Sequence, residues 1–283
     1  MRGSFADTLS KKIGFDIMKR ECVAVFSRKG NRQMRIIRAK DYDEMSRKAA
    51  EIIAAQITLE PETILGLATG STPLGTYAQL AKWCSEGKLD FSLVETYNLD
   101  EYVGLGVGDE QSYVQFMRDN FFSKINIDLE NTHLPDGKAE DPDEAAADYE
   151  EMLLDIGAVD IQLLGIGHDG HIGFNEPGDE FVGPVHQVTL DPMTIEANKR
   201  FFDSADDVPR TALTMGIADI MRAYTNLMVI TGKDKAEITH DALFGPVTPK
   251  VQASILQFHP DVIVVADEDA LSKCSEEELA LLF

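Results

Sequence analysis

Short apolar runs alternate with longer segments of helical periodicity along most of this sequence, from Met34 to the C-terminus. The runs that predict strands are MRIIRA, TILGLATG, SLVETYNLD, VDIQLLGIG, NLMVITG and DVIVVAD. Continuous apolar strands separated by helices are typical of a parallel sheet that is covered on both faces. The pattern therefore predicts an α/β fold, a Rossmann-like three-layer sandwich with a mostly parallel sheet and VDIQLLGIG as its central strand.

The segments between these strands carry helix-start signals. Asp41 and Glu44 form a capping-box-like start to DYDEMSRKAAEIIAAQI, and Pro73 is placed to open the helix TPLGTYAQLAKWCSEG. The later segments that we predict to be helical are EQSYVQFMRDNFF, PDEAAADYEEMLLDIG, TIEANKRFF, TALTMGIADIMRA and KDKAEITHDALFG. No repeat or Pro/Gly/Ser-rich linker interrupts the alternation, so we expect residues 34–283 to form a single catalytic domain.

Charge and cysteine content exclude several classes of protein. The net charge of −23 argues against binding to nucleic acid, and no run of about 18 apolar residues predicts a membrane span. Three scattered cysteines fit reduced thiols in a cytoplasmic protein. Residues 1–33 hold eight basic and three acidic residues with little periodicity, so we expect a leader or added segment outside the fold.

The stretch GIGHDGHIGFNEP, residues 165–177, contains G-x-G-x-x-G after a predicted strand. A dinucleotide site would need these glycines to open a helix whose N-terminus faces pyrophosphate. Here Asp169 would repel a phosphate, and the residues that follow are rich in glycine and proline. We therefore predict a catalytic loop and no nucleotide cofactor.

Asp169, His171 and Glu176 crowd this loop, and two carboxylates beside an imidazole can orient it and tune its pKa. We expect these three residues to take part in acid–base catalysis. His168 is the weaker candidate of the two histidines, exposed or hydrogen-bonded locally. No H-E-x-x-H pattern or partner cysteine accompanies them, so we predict no metal.

The turn ATGSTP, residues 68–73, is typical of an anion cradle just before a helix. No Walker lysine follows, which favours a monophosphate over a nucleotide triphosphate. An ordinary capped strand-to-helix turn is the alternative interpretation. The residues that we predict to hold the phosphate are Thr69, Gly70, Ser71, Thr72, Arg200 and Lys235.

Asp100 and Glu101 follow another predicted strand, where they enter a charged loop. One of these carboxylates could face the pocket as a base while the other points elsewhere. Two solvated loop acids are the alternative.

Together these motifs resemble the glucosamine-6-phosphate deaminase family. The resemblance rests, in chain order, on LGLATGSTPLGTY, YNLDEYVGL, GIGHDGHIGFNEP, ANKRFFD and GKDKA, and it extends from about Met34 to near the C-terminus. It implies a cofactor-free hydrolase that converts glucosamine 6-phosphate and water to fructose 6-phosphate and ammonia. In this resemblance His171, Asp169 and Glu176 open the sugar ring, Asp100 moves the C2 proton toward C1, and the phosphate residues anchor the substrate.

The sequence departs from the family at one point. Some members are hexamers activated by N-acetylglucosamine 6-phosphate through basic residues after the FNEP loop, where this chain has His186 and Val188. We therefore expect hyperbolic kinetics, while a homo-oligomer remains possible. The alternatives are a 6-phosphogluconolactonase, whose loop continues differently after G-x-D-G-H, and a non-catalytic sugar-phosphate sensor.

Overall fold

The computed structural model describes residues 34–282, apart from 203 and 205. Its main sheet has seven strands, and every neighbouring pair in it is parallel. In order across the sheet the strands are β1 (Arg35–Ala39), β10 (Val262–Asp267), β9 (Thr225–Ile230), β6 (Ile161–Leu164), β2 (Ile64–Leu67), β3 (Glu95–Asn98) and β5 (Thr132–His133). The stretch VDIQLLGIG supplies the middle strand, as predicted.

Helices cover both faces of this sheet. The helices are α1 (Tyr42–Leu59), α2 (Leu74–Ser85), α3 (Tyr113–Asn120), α4 (Pro142–Ile156), α5 (Pro192–Asn198), α6 (Ile217–Arg222), α7 (Ala236–Phe244) and α8 (Glu276–Ala280). Short 3-10 turns cover Phe122–Lys124, Leu129–Asn131, Lys199–Phe201, Lys233–Lys235 and Gln252–Phe258. Among the described residues, no helix combines the length and apolar character that a membrane span requires.

Alternate residues of one strand show the three layers directly. In β10, Val262 and Val264 join an apolar cluster that includes α4 and α7, whereas Ile263 and Val265 join a cluster that includes α1 and α2. Because successive side chains of a strand point to opposite faces, the sheet lies between two helical layers. The predicted α/β sandwich is confirmed.

The start of α1 differs in one detail from the predicted capping box. The Asp41 side chain accepts a hydrogen bond from the Glu44 backbone N–H at 2.9 Å, as a cap should. The Glu44 carboxylate, however, accepts from the backbone N–H of Lys40 at 2.8 Å, one residue before the cap. Pro73 lies directly before the first residue of α2, Leu74, with helical backbone angles and no side-chain capping hydrogen bond, so it opens the helix as predicted.

The prediction of one helix over TALTMGIADIMRA is wrong in its first part. Thr211–Thr214 form strand β8, and only Ile217–Arg222 are helical. Strand β8 lies between β4 (Asp100–Tyr102) and β7 (His186–Thr189) in a small antiparallel sheet. Pairing on both edges outweighs the local helical pattern, and it also turns the predicted charged loop after β3 into a strand.

A single domain over residues 34–283 stays a prediction, and residues 1–33 lie outside the described part of the chain.

Candidate active site

Residues that follow β2, β3, β6 and β9 line one cavity of about 320 Å³. In parallel α/β sheets, ligands bind beyond the carboxyl ends of the strands, and this cavity has that position. Nine of the ten predicted site residues line it: Thr69, Gly70, Ser71, Thr72, Asp100, Asp169, His171, Arg200 and Lys235. The tenth, Glu176, is not in the cavity wall and contacts the His171 imidazole instead.

His171 lies between two carboxylates. Its Nδ1 is 2.8 Å from Asp169 Oδ1 and 3.4 Å from Glu176 Oε2, and its backbone N–H donates to Asp169 Oδ1 at 3.1 Å. Burial alone would lower the pKa of His171, but the two carboxylates outweigh it and raise this pKa to about 9. The imidazole is therefore largely protonated at neutral pH, and its Nε2 remains for a ligand.

Close packing of the imidazole accounts for a glycine in the G-x-G-x-x-G stretch. A Cβ on Gly167 would lie 2.4 Å from the His171 ring, and the Gly167 backbone N–H donates to the His171 carbonyl at 2.9 Å. No helix begins within residues 165–191, all of which the structure describes. Without a helix N-terminus the stretch lacks the feature that binds pyrophosphate, so the catalytic-loop interpretation agrees with the fold.

Asp100 begins the small sheet and is only 6% exposed. It pairs with Thr214 of β8, whose hydroxyl accepts a hydrogen bond from the Phe174 backbone N–H at 3.0 Å. Burial, together with the neighbouring Glu101, raises the pKa of Asp100 to about 8. A carboxylate with so high a pKa is a stronger base than an exposed one.

We call the opposite end of the cavity the anion end, because it holds the residues predicted to bind a phosphate. Gly70 has φ of +89°, a conformation that favours glycine, and it turns the chain just before α2. Arg200 reaches this turn from the segment after α5, and its Nη2 donates to Ser71 Oγ at 3.0 Å. The Tyr42 hydroxyl donates to the Ser71 carbonyl at 3.2 Å and accepts from the Gly75 N–H at 2.8 Å, which fixes the turn on α1.

Lys235 reaches the cavity from the turn after β9. Its Nζ donates to the Ile166 carbonyl at 2.8 Å, beside the catalytic loop. Burial lowers the pKa of Lys235 to about 8. A bound phosphate would stabilise the ammonium form, so this lysine gains most from an anionic ligand.

His168 is half exposed and lies beside the anion end. Of the two predicted alternatives, exposure agrees with the structure, whereas the hydrogen-bond partner is not local: Nε2 is 2.6 Å from Asp234 Oδ2, at the end of another strand.

Sequence motifs did not indicate every residue of the cavity wall. Tyr113, Thr194 and Asn198 also line it, and the Asn198 side chain donates to the Tyr102 hydroxyl at 2.9 Å. Tyr113 is the first residue of α3, directly after its cap Ser112. A helix-start signal was thus present in the sequence, but the position of that helix at the cavity depends on tertiary packing.

Comparison with known proteins identifies the family. The model of the family "Glucosamine-6-phosphate isomerases/6-phosphogluconolactonase" matches residues 39–261. The chain belongs to this family. Among its relatives, the glucosamine-6-phosphate deaminase of Lachnoclostridium phytofermentans is 53% identical over 232 residues, which cover 82% of this chain and 98% of that one. The glucosamine-6-phosphate deaminase of Clostridioides difficile is 48% identical over 249 residues, or 88% and 100% of the two chains.

Two solved structures are similar to this chain to different degrees. A monomeric glucosamine-6-phosphate deaminase has a TM-score of 0.83 and 44% identity, with 85% of this chain and 100% of that one covered. The 6-phosphogluconolactonase of Thermotoga maritima has a TM-score of 0.66 at 20% identity, with 83% of this chain and 100% of that one covered. This similarity shows a shared fold. The resemblance to deaminases within this glucosamine-6-phosphate isomerase/6-phosphogluconolactonase family is confirmed.

Two predicted features of this family member remain to be tested. Ligand atoms of Asp169, His171 and Glu176 lie within 4.8 Å of one another, a spacing that could hold a cation, so the absence of a metal stays a prediction. The second is hyperbolic kinetics, which we inferred from His186 and Val188. Both residues lie in β7, outside the cavity wall.

Proposed function

We propose that this enzyme is a glucosamine-6-phosphate deaminase that converts glucosamine 6-phosphate and water to fructose 6-phosphate and ammonia. The observation that carries the proposal is one cavity with an anion cradle at one end and two ionisable groups with shifted pKa, Asp100 and His171, at the other. Aldose–ketose conversion needs proton transfers on a substrate that is held in one orientation, and this cavity offers both.

Substrate binding starts at the anion end. Hydroxyls and backbone N–H groups of residues 69–72 and the charges of Arg200 and Lys235 hold the phosphate. Charge-assisted hydrogen bonds of this kind are each worth about 1.5–3 kcal/mol. Anchoring the phosphate places C1 and C2 of the sugar near the other end, and such orientation lowers the barrier by several kcal/mol.

His171 opens the ring. Its Nδ1 faces Asp169 and Glu176, so its Nε2 can donate a proton to the ring oxygen and then accept the proton that the C1 hydroxyl releases. The C1–O5 bond breaks, the C1 aldehyde forms, and the imidazolium is restored. The two carboxylates stabilise the imidazolium and hold the ring in place, which is the role we assign to Asp169 and Glu176.

Asp100 then acts as the base. Its carboxylate removes the C2 proton of the open-chain aldose, which gives an enolamine, and a proton is returned to C1. The C2 imine that results adds water, and loss of ammonia leaves the C2 ketone of fructose 6-phosphate. The overall change uses one water and releases one ammonia, so the enzyme is classed here as a hydrolase that needs no cofactor.

The partners we propose are limited to the sugar phosphate, without nucleic acid or membrane, and a cytoplasmic location stays a prediction. Oligomeric state also stays a prediction: a homo-oligomer is possible, whereas the solved deaminase relative is monomeric. We expect hyperbolic kinetics, which a substrate titration with and without N-acetylglucosamine 6-phosphate tests.

Substrate preference tests the function within this family. Purified protein is given glucosamine 6-phosphate or 6-phosphogluconolactone, and ammonia release and lactone hydrolysis are measured under the same conditions. We expect kcat/KM for the amino sugar to exceed that for the lactone by about 100-fold or more, since a site built to hydrogen-bond one substrate can discriminate by up to about 10⁴–10⁵-fold. Faster lactone hydrolysis would contradict the proposal, and binding without turnover of either compound would favour a sensor.

A further inference from the structure

Glu101 is a buried carboxylate next to Asp100 that the proposed reaction does not use. It is only 1% exposed. Its Oε1 accepts hydrogen bonds from the backbone N–H groups of Tyr102 and Tyr113, and its Oε2 accepts from that of Val114, each at 2.9 Å. A buried carboxylate is costly unless it is hydrogen-bonded, and three N–H donors favour its ionised form.

Two of these donors belong to the start of α3. Tyr113 and Val114 are its first two residues, whose N–H groups have no partner within the helix. Ser112 caps the same helix by accepting from the Gln115 N–H at 3.2 Å. Glu101 therefore completes the cap, places a negative charge at the positive end of the helix dipole, and ties α3 to β4.

The start of α3 also forms part of the cavity wall. The Tyr113 ring is nearly parallel to that of Phe174, at 11° with centroids 6.0 Å apart, and its hydroxyl lies 3.3 Å from the Tyr102 hydroxyl. A shift of this helix would displace Tyr113 relative to Asp100. Glu101 is thus the group that joins the two.

We propose that Glu101 is a positioning residue for Asp100: it fixes the start of β4 against α3 and places a buried negative charge one residue along the strand from Asp100. Only the expected changes in kcat and kcat/KM rest on the proposed function. The contacts of Glu101 with the start of α3, one residue along β4 from Asp100, are a property of the fold.

The charges around the pair determine the sign of the effect. The charge of Glu101 disfavours ionisation of Asp100, and the charge of His171 favours it. The charge of Asp109 disfavours ionisation of Glu101. The tyrosines around Asp100, at positions 77, 102, 113 and 149, have pKa values well above neutrality and stay uncharged. Burial raises the pKa of Glu101 to about 7, although the three N–H hydrogen bonds act to lower it. Because the pKa of Asp100 is about 8, Glu101 is mostly ionised at the pH at which Asp100 titrates.

Glu101→Gln tests the charge directly. The carboxyl carbon of Asp100 is followed by ¹³C NMR against pH in aspartate-labelled protein, and its signal is assigned by its loss in Asp100→Asn. We expect the Asp100 midpoint to fall by roughly one pH unit in Glu101→Gln, the size of a neighbouring charge effect. The acid limb of kcat/KM should shift to lower pH by the same amount.

Two further variants separate charge from structure. Glu101→Asp keeps the charge but is too short for all three N–H groups, so we expect an unchanged midpoint and a kcat lowered about 10- to 100-fold. Asp160→Asn is the matched control, because Asp160 accepts from the Ile64 N–H at 2.8 Å at the other end of the sheet. It should leave the Asp100 midpoint where it is.

The outcomes are distinguishable from failure of the proposed function, because the carboxyl titration needs no turnover. If the wild-type protein has no deaminase activity but Glu101→Gln still lowers the Asp100 midpoint, the proposed function would be overturned and the role of Glu101 would be supported. An unshifted midpoint in folded Glu101→Gln would overturn the charge effect, even in an active deaminase. If Glu101→Gln does not fold, a wild-type kcat in Glu101→Asp would overturn the positioning role.

Discussion

The two ends of the cavity differ in how strongly they are shielded from water. At the proton-transfer end, Asp100 is 6% exposed, and the side chains of Asp169 and His171 are 13% and 20% exposed. At the anion end, Ser71 and Arg200 are exposed and Lys235 is half-buried. Phosphate can be held by charges in contact with water, whereas a carboxyl must be desolvated to become a stronger base.

This difference predicts that the two ends can be damaged separately. Substitutions at the buried end should lower kcat, because they change groups that act in the transition state. Substitutions at the exposed end should mainly raise KM, because the phosphate is bound in both the ground state and the transition state.

Asp100→Asn should have the largest effect. Removing the base should lower kcat by about 10²–10⁴-fold, while the affinity for glucosamine 6-phosphate changes little because the anion end is intact. Steady-state kinetics give the first quantity and calorimetry of the variant gives the second. Near-normal turnover in this variant would show that Asp100 is not the base.

Lys235→Met should have the next largest effect, now on KM. Loss of one charge-assisted hydrogen bond to phosphate should raise KM about 10- to 100-fold with a smaller change in kcat. Lys233→Met is the matched control, since Lys233 belongs to the same turn but does not line the cavity. Equal effects of the two substitutions would argue against a phosphate role for Lys235.

The pH dependence of kcat/KM follows from the raised pKa of Asp100, about 8. Because only the ionised carboxyl is a base, activity should rise with pH up to that value and fall about tenfold per pH unit below it. Initial rates at low substrate concentration, measured between pH 5 and 9, give the acid limb of the pH profile of kcat/KM. A limb centred near the ordinary pKa of an aspartate would contradict the effect of burial.

Asp100 should also cost stability at high pH. Its pKa in the folded protein, about 8, is raised above the ordinary value of 3.8, so the folded state binds its proton more tightly than the unfolded state. Stability from this group is therefore lost as pH rises from about 4 through 8. Asp100→Asn should exceed the wild-type Tm by a few degrees at pH 8–9 and by less at pH 5, measured by calorimetry.

Chelation should have the smallest effect. If Asp169 and Glu176 orient His171 and hold no cation, treatment with a chelator should change kcat/KM by no more than about twofold. Removal of a catalytic metal would instead abolish most of the rate. Activity after dialysis against the chelator is compared with activity after addition of divalent cations. A loss that an added metal restores would assign the cluster to a metal.

Local sequence patterns predicted six of the seven strands of the main sheet, all but β5, and nine of the ten site residues lie in one cavity wall. The apolar runs predicted parallel strands, and the carboxyl ends of parallel strands lie at one edge of the sheet. Polar segments that follow these strands, such as ATGST and GIGHDGH, were therefore expected to meet there. The small sheet was missed because β4 and β8 are short and gain their stability from pairing with each other, which no local window shows. Tyr113 and the role of Glu101 were missed for the same reason, because both depend on where α3 packs.

The central claim is tested most directly by the product balance of the wild-type enzyme. Purified protein, freed of metal and nucleotide, is incubated with glucosamine 6-phosphate, and ammonia and fructose 6-phosphate are measured in the same samples over time. The account predicts equal molar amounts of both from the first time point onward. Ammonia without the ketose, or neither product from a folded protein, would contradict it.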